Sequence, residues 1–347
     1  MEVGARSIRA AILTGRNTEP NPIPIPLGYS SAPYSCPSVA VSIPNDGYLF
    51  GDRAKDWLYS NPGGFIHLAD VDAGSVMFGK VYKALFLFVL DRVRQCGWER
   101  PVSCTVIVPT GYAVSDPRKQ TIANAAKEAG IPTVRFQYDI IALCSKKASL
   151  SDGESLLAFD LGYSGLSLSV VTRKGSDLKL AGSVRNAEVG GRVFDGLLFE
   201  DILNWMSADS RNDVLSNLLF SNGVAACAER VKEDLSRYAS VRQPAVTTEY
   251  SIDRDRFNGL ITPSFATVPQ SCKEVLEQAG VEYGDIHQLI LCGGCSAIPF
   301  VSDFLVSLFA RNGKDAVQVS SLAQTPDYSF GACLGGFSAI HSLKIVF

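Results

Sequence analysis

One short pattern occurs twice in this chain, and it limits the fold more than any bulk property does. Glu2-Val3-Gly4 leads into a short polar turn and then the largely apolar stretch Ile8 to Leu13. Asp160-Leu161-Gly162 leads in register into Tyr163-Ser164-Gly165 and then Leu166 to Val171. The second copy alternates apolar and polar residues, as a half-buried strand does. An acidic strand end followed by a glycine turn is a hairpin able to present backbone N–H groups to a phosphate. Two such hairpins facing each other would form a two-jawed clamp.

The intervening sequence supplies strands and helices in alternation. Val102 to Val108 reads as a buried strand ending at Pro109. A helix follows, with Asp116 as N-cap, Pro117 at its first position, Gly130 past its last turn and Pro132 beyond. Asp195 to Met206 and Gly223 to Tyr238 are expected as helices, and Phe78 to Phe88 as a core helix. His287 to Cys292 reads as a strand, Gly293-Gly294 as a turn, and Pro299 to Phe309 as a helix. The Pro-rich stretch Asn17 to Pro26 reads as a hairpin loop. Strand, turn and helix recur in both halves, which predicts an α/β protein of two similar lobes.

A chain of 347 residues, 46% of them hydrophobic, can bury enough surface for two lobes. The net charge of -3 favours neither nucleic acid nor an anionic membrane as partner. The strongest apolar run, Ala84 to Leu90, is short and flanked by Lys80, Lys83, Asp91 and Arg92, so no membrane span is expected. The N-terminus, with Glu2 and Arg6, lacks the apolar core of a signal peptide. Several of the nine cysteines sit in apolar runs, as Cys104 and Cys144 do, which suits buried thiols in a reducing, cytoplasmic setting. Cys292 and Cys295 form a single C-x-x-C, more simply read as lining a glycine turn than as a redox or metal site. His67, His287 and His341 show no metal spacing.

Taken together these segments resemble the nucleotide-binding (ATPase) domain of the Hsp70 family. Leu157 to Gly162 is similar to the family's second phosphate loop, and Ile290 to Pro299 to its glycine-glycine adenosine motif. Val106-Ile107-Val108-Pro109, Arg118-Lys119-Gln120 and Ala129-Gly130-Ile131 resemble the segment before the catalytic acid. Val189 to Asp195 and Pro326-Asp327 also match, so the similarity runs in order along nearly the whole chain. Leu166 to Val170 and Leu291 to Gly294 look most like the divergent members that pair with a ribosome-associated J-protein. The resemblance implies the actin-like ATPase fold, two lobes that each duplicate a ribonuclease H-like unit. Residues 1–150 would form lobe I, with a helix at 327–343 packing back on it, and residues 151–326 lobe II. The stretch from Pro62 to Phe78 is too short for the family's usual upper part of lobe I. The chain reaches Phe347 soon after the last lobe helix, with no peptide-binding β-sandwich; Ile340 to Phe347 reads as a linker remnant or a helix end.

The resemblance also assigns a site. Glu229, Lys232 and Ser236 share one helical face, where the family holds ribose and purine; the plain alternative is a solvated face carrying an i, i+3 ion pair. Gly293 and Gly294 allow close backbone approach, and Ala297 stands where the family packs an arginine on the base. Glu2, Gly4 and Gly162 belong to the phosphate loops, Gly190, Gly191 and Asp327 to further nucleotide-contacting segments, and Asp160 to the acid that positions the metal-water shell. ATP or ADP is the implied ligand, with Mg²⁺ as its companion and no dedicated protein metal site.

Several positions depart from the pattern. Tyr163, Ser164 and Gly165 replace a Gly-Gly-Thr run, so Cβ atoms at Tyr163 and Ser164 are expected to restrict positive φ and phosphate approach. Ala5 and Arg6 replace hydroxyl residues; Arg6 offers phosphate a bidentate donor or is a surface arginine. No Lys or Arg occurs from Asp56 to Gly79, where the family keeps its essential lysine. Asp139 stands for the catalytic Glu, Ile140 for the Pro after it, and Ser167 for a further acid. The expected protein binds nucleotide weakly, mainly through adenosine in the cleft between lobes. It turns ATP over little or not at all, and it works in a chaperone assembly, for instance with a J-protein co-chaperone. A non-enzymatic structural subunit is the main alternative. A filament protein and a sugar kinase of the same fold fit less well, because the helix of Glu229 and Lys232 matches Hsp70 and no sugar-facing base is evident.

Overall fold

The computed structural model describes residues 1–4, 7–13, 23–29, 33–43, 47–57, 64–72, 74–112, 115–313 and 318–321. Ala5, Arg6, Pro326, Asp327, the expected helix at 327–343 and the stretch to Phe347 lie outside the described residues. The chain divides into two compact units; among the described residues the first comprises 1–152 with 173–179 and the second 153–172 with 180–321.

The first unit opens with short strands β1 (Glu2–Val3), β2 (Ser7–Arg9), β3 (Ala11–Ile12), β4 (Ile23–Pro24) and β5 (Cys36–Pro37). β3 pairs antiparallel with β4, so Ile23–Pro24 of the Pro-rich segment is strand rather than loop, while residues 17–22 lie outside the described residues. Next come β6 (Val39–Ile43), β7 (Gly47–Phe50), the short α1 (Asp52–Asp56) and β8 (Phe65–His67), with β6, β7 and β8 forming a small antiparallel sheet. The unit continues through α2 (Val76–Gln95), β9 (Ser103–Val108), α3 (Pro117–Glu128), β10 (Thr133–Tyr138) and α4 (Asp139–Lys147). Ser75 caps α2 by accepting from the Phe78 N–H. Phe78, Val81, Leu85, Phe86, Val89 and Val93 recur at helical spacing and are buried, so α2 is the expected core helix. α3 starts at Asp116 and Pro117 as expected. Gly130, at φ +89°, ends it in a turn in which the Ile131 N–H reaches the Ala126 carbonyl at 2.9 Å.

The second unit contains β11 (Ser155–Leu161), β12 (Leu166–Lys174), β13 (Asp177–Asn186), α5 (Gly191–Trp205), α6 (Ala208–Ser216), α7 (Leu218–Leu235), β14 (Ser240–Ala245), β15 (Thr248–Asp253), α8 (Arg254–Ile261), α9 (Val268–Ala279), β16 (Ile286–Cys292), α10 (Pro299–Arg311) and β17 (Gln318–Ser321). Two of these helices begin earlier than their sequence predicts. α5 starts at Gly191 rather than Asp195, and α7 runs through Gly223 from Leu218. In both, a glycine that resembles punctuation lies inside the helix.

The main sheets repeat one plan. In the first unit the strand order is β5-β2-β1-β9-β10, and in the second β13-β12-β11-β16-β17. β1 is antiparallel to β2 and parallel to β9; β11 is antiparallel to β12 and parallel to β16. The outer pairs β9–β10 and β16–β17 are also parallel. Each unit has its own core, centred on Ile8, Leu85 and Val106 in the first and on Phe159, Phe194 and Phe265 in the second. This duplicated arrangement is the actin-like ATPase fold. No helix among the described residues is long and apolar enough to cross a membrane.

Candidate functional site

The repeated sequence pattern becomes a repeated hairpin. In the first unit, Glu2 stands opposite Arg9 and Val3 opposite Ile8, and the Gly4 N–H donates to the Ser7 carbonyl at 2.9 Å. In the second, Asp160 stands opposite Ser167 and Leu161 opposite Leu166, and the Gly162 N–H donates to the Gly165 carbonyl at 3.0 Å. Asp160 lies near the C-terminal end of β11 beside Cys292, the last residue of parallel β16, and Glu2, in the two-residue β1, lies beside Ile107 near the C-terminal end of parallel β9. Ligands in α/β sheets gather at such strand ends.

In the first unit the acids are already engaged. Glu2 Oε1 accepts from Arg9 Nη1 at 3.2 Å, with both side chains largely buried. Burial pushes the Glu2 carboxyl above its ordinary range; Arg9 opposes this, and the nearby Asp139 carboxylate adds to it. Asp139 is the first residue of α4. Its Oδ1 accepts from the Thr110 hydroxyl at 2.6 Å, the Thr110 N–H at 3.1 Å and the Ile140 N–H at 2.7 Å. Burial raises the Asp139 carboxyl as well, against the pull of these hydrogen bonds. Thr110, which no sequence motif singled out, therefore fixes the candidate catalytic acid.

In the second unit, glycines from three segments converge. The Gly191 N–H donates to the Gly162 carbonyl at 3.0 Å, and the Arg192 N–H to the Tyr163 carbonyl at 2.9 Å, so the second loop is tied to the start of α5. A Cβ on Gly190 would lie 2.7 Å from Gly165 Cα, and one on Gly191 2.9 Å from Cys295 Sγ. A Cβ on Gly293 would lie 2.3 Å from the Leu161 carbonyl and 2.5 Å from Asp160 Oδ1. Those three glycines are required by chain packing on chain. Gly294 differs: it is exposed, and a Cβ there would meet nothing within 4 Å. It is the glycine of the pair that leaves backbone open to a ligand. Cys292 and Cys295 bracket this turn, both buried, and no metal-binding cluster of His, Cys, Asp and Glu occurs among the described residues.

The positive φ of the second loop falls on its glycine. Neither Tyr163 nor Ser164 has positive φ; that conformation belongs to Gly165, at +144°. Their Cβ atoms can still limit phosphate approach, but not through backbone strain. Tyr163 packs beside Gly191, and Lys232 Nζ stands 6.0 Å from its ring centroid.

Glu229 and Lys232 lie on α7, and Ser236 caps its C-terminus. Lys232 is not part of a solvated face. It is 7% exposed, and its ammonium meets Asp195 of α5 at 2.6 Å. The Ser236 hydroxyl donates to the Glu233 carbonyl, also within α7's last turn. The Lys232–Asp195 pair went unseen in the sequence because its partners are far apart in the chain. It clamps α5 to α7 beside the glycine cluster.

A hydrated Mg²⁺ keeps several waters and takes carboxylate oxygens as their acceptors, and in the first unit one oxygen of each acid is already taken. Glu2 faces a guanidinium, a like charge to the metal, and Asp139 Oδ1 is filled by three donors.

The family profile described as Hsp70 protein matches residues 84–321, more than half of the chain. A heat shock protein homolog from Naumovozyma castellii is 27% identical over 220 residues, 59% of this chain and 32% of the relative. Heat shock 70 kDa protein 14 from Bos taurus is 25% identical over 214 residues, 59% of this chain and 42% of the relative. A chaperone protein DnaK from Picrophilus torridus is 22% identical over 353 residues, 96% of this chain and 57% of the relative. The chain thus spans from 32% to 57% of the length of these relatives. With a profile match of that extent on the duplicated actin-like fold, the chain belongs to the Hsp70 family, as a divergent form of its nucleotide-binding domain.

Proposed function

We propose that this protein binds ATP or ADP weakly, turns ATP over negligibly, and serves a chaperone assembly through protein partners, a J-protein co-chaperone among them. One observation carries the reading: each candidate acid of the first unit has one oxygen held by protein donors, Glu2 Oε1 by Arg9 and Asp139 Oδ1 by Thr110 and Ile140. Three donors on one oxygen pin the Asp139 carboxylate to Thr110 and the start of α4 and leave it little freedom to swing toward a water. The absence of Lys and Arg from Asp56 to Gly79 removes a further charge that would stabilise a transferring phosphoryl group.

Adenosine recognition is better supported. Gly294 is open, and Lys232 is positioned by Asp195 beside the second loop. Each lost charge-assisted phosphate contact costs ~1.5–3 kcal/mol, about 10- to 150-fold in affinity. Binding is therefore expected to be micromolar or weaker, with little preference between ATP and ADP. Calorimetric titration and an ATPase assay on pure protein test this. Nanomolar ATP affinity, or turnover typical of the family and abolished by Asp160→Ala, refutes it.

The packing of Gly190, Gly191 and Gly293 on neighbouring backbone favours a second reading, a purely structural subunit, since it explains those glycines without a ligand. No binding at millimolar nucleotide would select that reading.

A further inference from the structure

Phosphates bind at helix N-termini because the first N–H groups there lack partners within the helix. At the start of α5 those groups are taken. The Gly191 N–H donates to the Gly162 carbonyl at 3.0 Å and the Arg192 N–H to the Tyr163 carbonyl at 2.9 Å. The Phe194 N–H closes the first helical turn onto the Gly190 carbonyl at 3.0 Å. Within the second loop, the Gly162 N–H is spent on the Gly165 carbonyl, also at 3.0 Å. An anion arriving here has to strip two carbonyls of their donors before it gains its own, and an unpaired carbonyl is costly.

The Tyr163 side chain adds bulk at the same place. A Cβ built on Gly191 would lie 3.4 Å from Tyr163 Cδ2, so the ring rests against the first residue of α5. Lys232 Nζ stands over that ring, 6.0 Å from its centroid, and its charge is met by Asp195 of α5 at 2.6 Å. The buried ammonium beside the loop thus faces an aromatic ring and a carboxylate. Gly294, in the adenosine motif, has open space around its Cα. The part of the second unit suited to a nucleoside is open, and the part suited to phosphate is filled by the chain itself.

We propose that Tyr163 is the specificity-determining residue of the second unit: its ring closes the loop to phosphate, so the site selects a nucleoside and binds adenosine as well as it binds ADP. This rests on the nucleotide-binding reading above and adds to it which part of the ligand is recognised. The backbone does not require the ring. Neither Tyr163 nor Ser164 has positive φ, so a smaller residue fits position 163 as the chain stands. Removing the ring opens an approach to the positive end of α5 and to the Lys232 ammonium. A glycine there also gives the loop freedom to turn its own N–H groups outward.

The test is calorimetric titration of the full chain with adenosine, AMP and ADP, each in excess Mg²⁺. In the wild type the three affinities should agree within about threefold, because no charge-assisted phosphate contact is made. Tyr163→Gly should tighten ADP by about tenfold or more, the gain of one such contact, while adenosine stays within about threefold of wild type. Tyr163→Phe keeps the ring and should keep the wild-type pattern. Circular dichroism checks that each variant folds. If Tyr163→Gly folds poorly, Tyr163→Ala removes the same ring with less backbone freedom and should show the same gain. Wild-type ADP binding about tenfold tighter than adenosine defeats the Tyr163 role alone. So does an ADP affinity left unchanged in whichever of the two ring-deleting variants folds. Failure of adenosine, AMP and ADP alike to bind the wild type defeats the nucleotide reading and the Tyr163 role with it.

Discussion

Replacing Gly293 by alanine separates the glycine that holds the site together from the one that faces out of it. Gly293 has φ +80° and ψ 142°, a region that residues with a Cβ avoid at a cost of ~1–3 kcal/mol. Its added methyl would also sit 2.3 Å from both C and O of Leu161 and 2.5 Å from Asp160 Oδ1. Two of those neighbours are backbone atoms in β11, paired on both sides, and cannot turn away as a flexible side chain would. Overpacking of that kind adds ~1–3 kcal/mol. The expected loss is about 2–6 kcal/mol, against a typical domain stability of ~5–15 kcal/mol. Gly294→Ala, one residue on, meets nothing within 4 Å and should stay within ~0.5 kcal/mol of wild type. Urea denaturation followed by far-ultraviolet circular dichroism measures both, fitted to allow the two units separate transitions. Equal stability of Gly293→Ala and Gly294→Ala would refute the packing argument. So would a Gly293→Ala protein as stable as wild type.

Three further outcomes follow from the same contacts. Lys232→Met should destabilise the second unit by about 3–5 kcal/mol by stranding Asp195, and Lys232→Met/Asp195→Asn should recover much of that in denaturation while adenine-nucleotide affinity stays low. Asp139 has its folded-state pKa raised above 3.8, so the folded chain binds more protons than the unfolded one, and this carboxyl's contribution to stability falls as pH rises from the ordinary aspartate range through the raised value; Asp139→Asn should flatten that part of a stability-against-pH curve. Tyr250→Phe removes a hydroxyl that donates to Asp201 Oδ2 at 2.5 Å while Arg256 keeps Oδ1 at 2.7 Å, and thermal melts should show a loss of about 1.5–3 kcal/mol.

What the sequence made legible were features set by local chemistry. The repeated acid–apolar–glycine pattern predicted two hairpins, and both form with the same register and the same four-residue turn. Caps with a local mechanism, Asp116-Pro117 and Gly130, marked α3 correctly. Errors arose where a glycine answers to tertiary packing. Gly191 lies in the first turn of α5 because its N–H reaches Gly162 across the fold. Gly223 sits inside α7 because a Cβ there would meet Val246 Cγ2 at 2.8 Å. Neither partner is near in sequence, so both glycines resembled helix boundaries. Lys232–Asp195 and Thr110–Asp139 were hidden for the same reason. Arg9 was visible in principle: aligning the two hairpins sets it opposite Glu2 as Ser167 is set opposite Asp160.

The glycine contacts also bear on how a nucleotide-type fold can persist while its chemistry weakens. Gly190, Gly191 and Gly293 hold three segments together through backbone approach, with no contribution from a phosphate. Their spacing is then a condition of folding the second unit, whatever binds there. The groups that act on phosphate carry no such duty. Among the described residues from Asp56 to Gly79, positions such as Trp57, Val76 and Met77 are exposed, and the absence of a lysine at such a position removes little packing. Resemblance in the glycine motifs therefore reports on the frame. The side chains around Glu2, Arg9 and Asp139 report on the chemistry. A test of function in this chain belongs at the charged groups around Glu2, Asp139 and Lys232, the last changed together with Asp195, and not at the glycines that made the family recognisable.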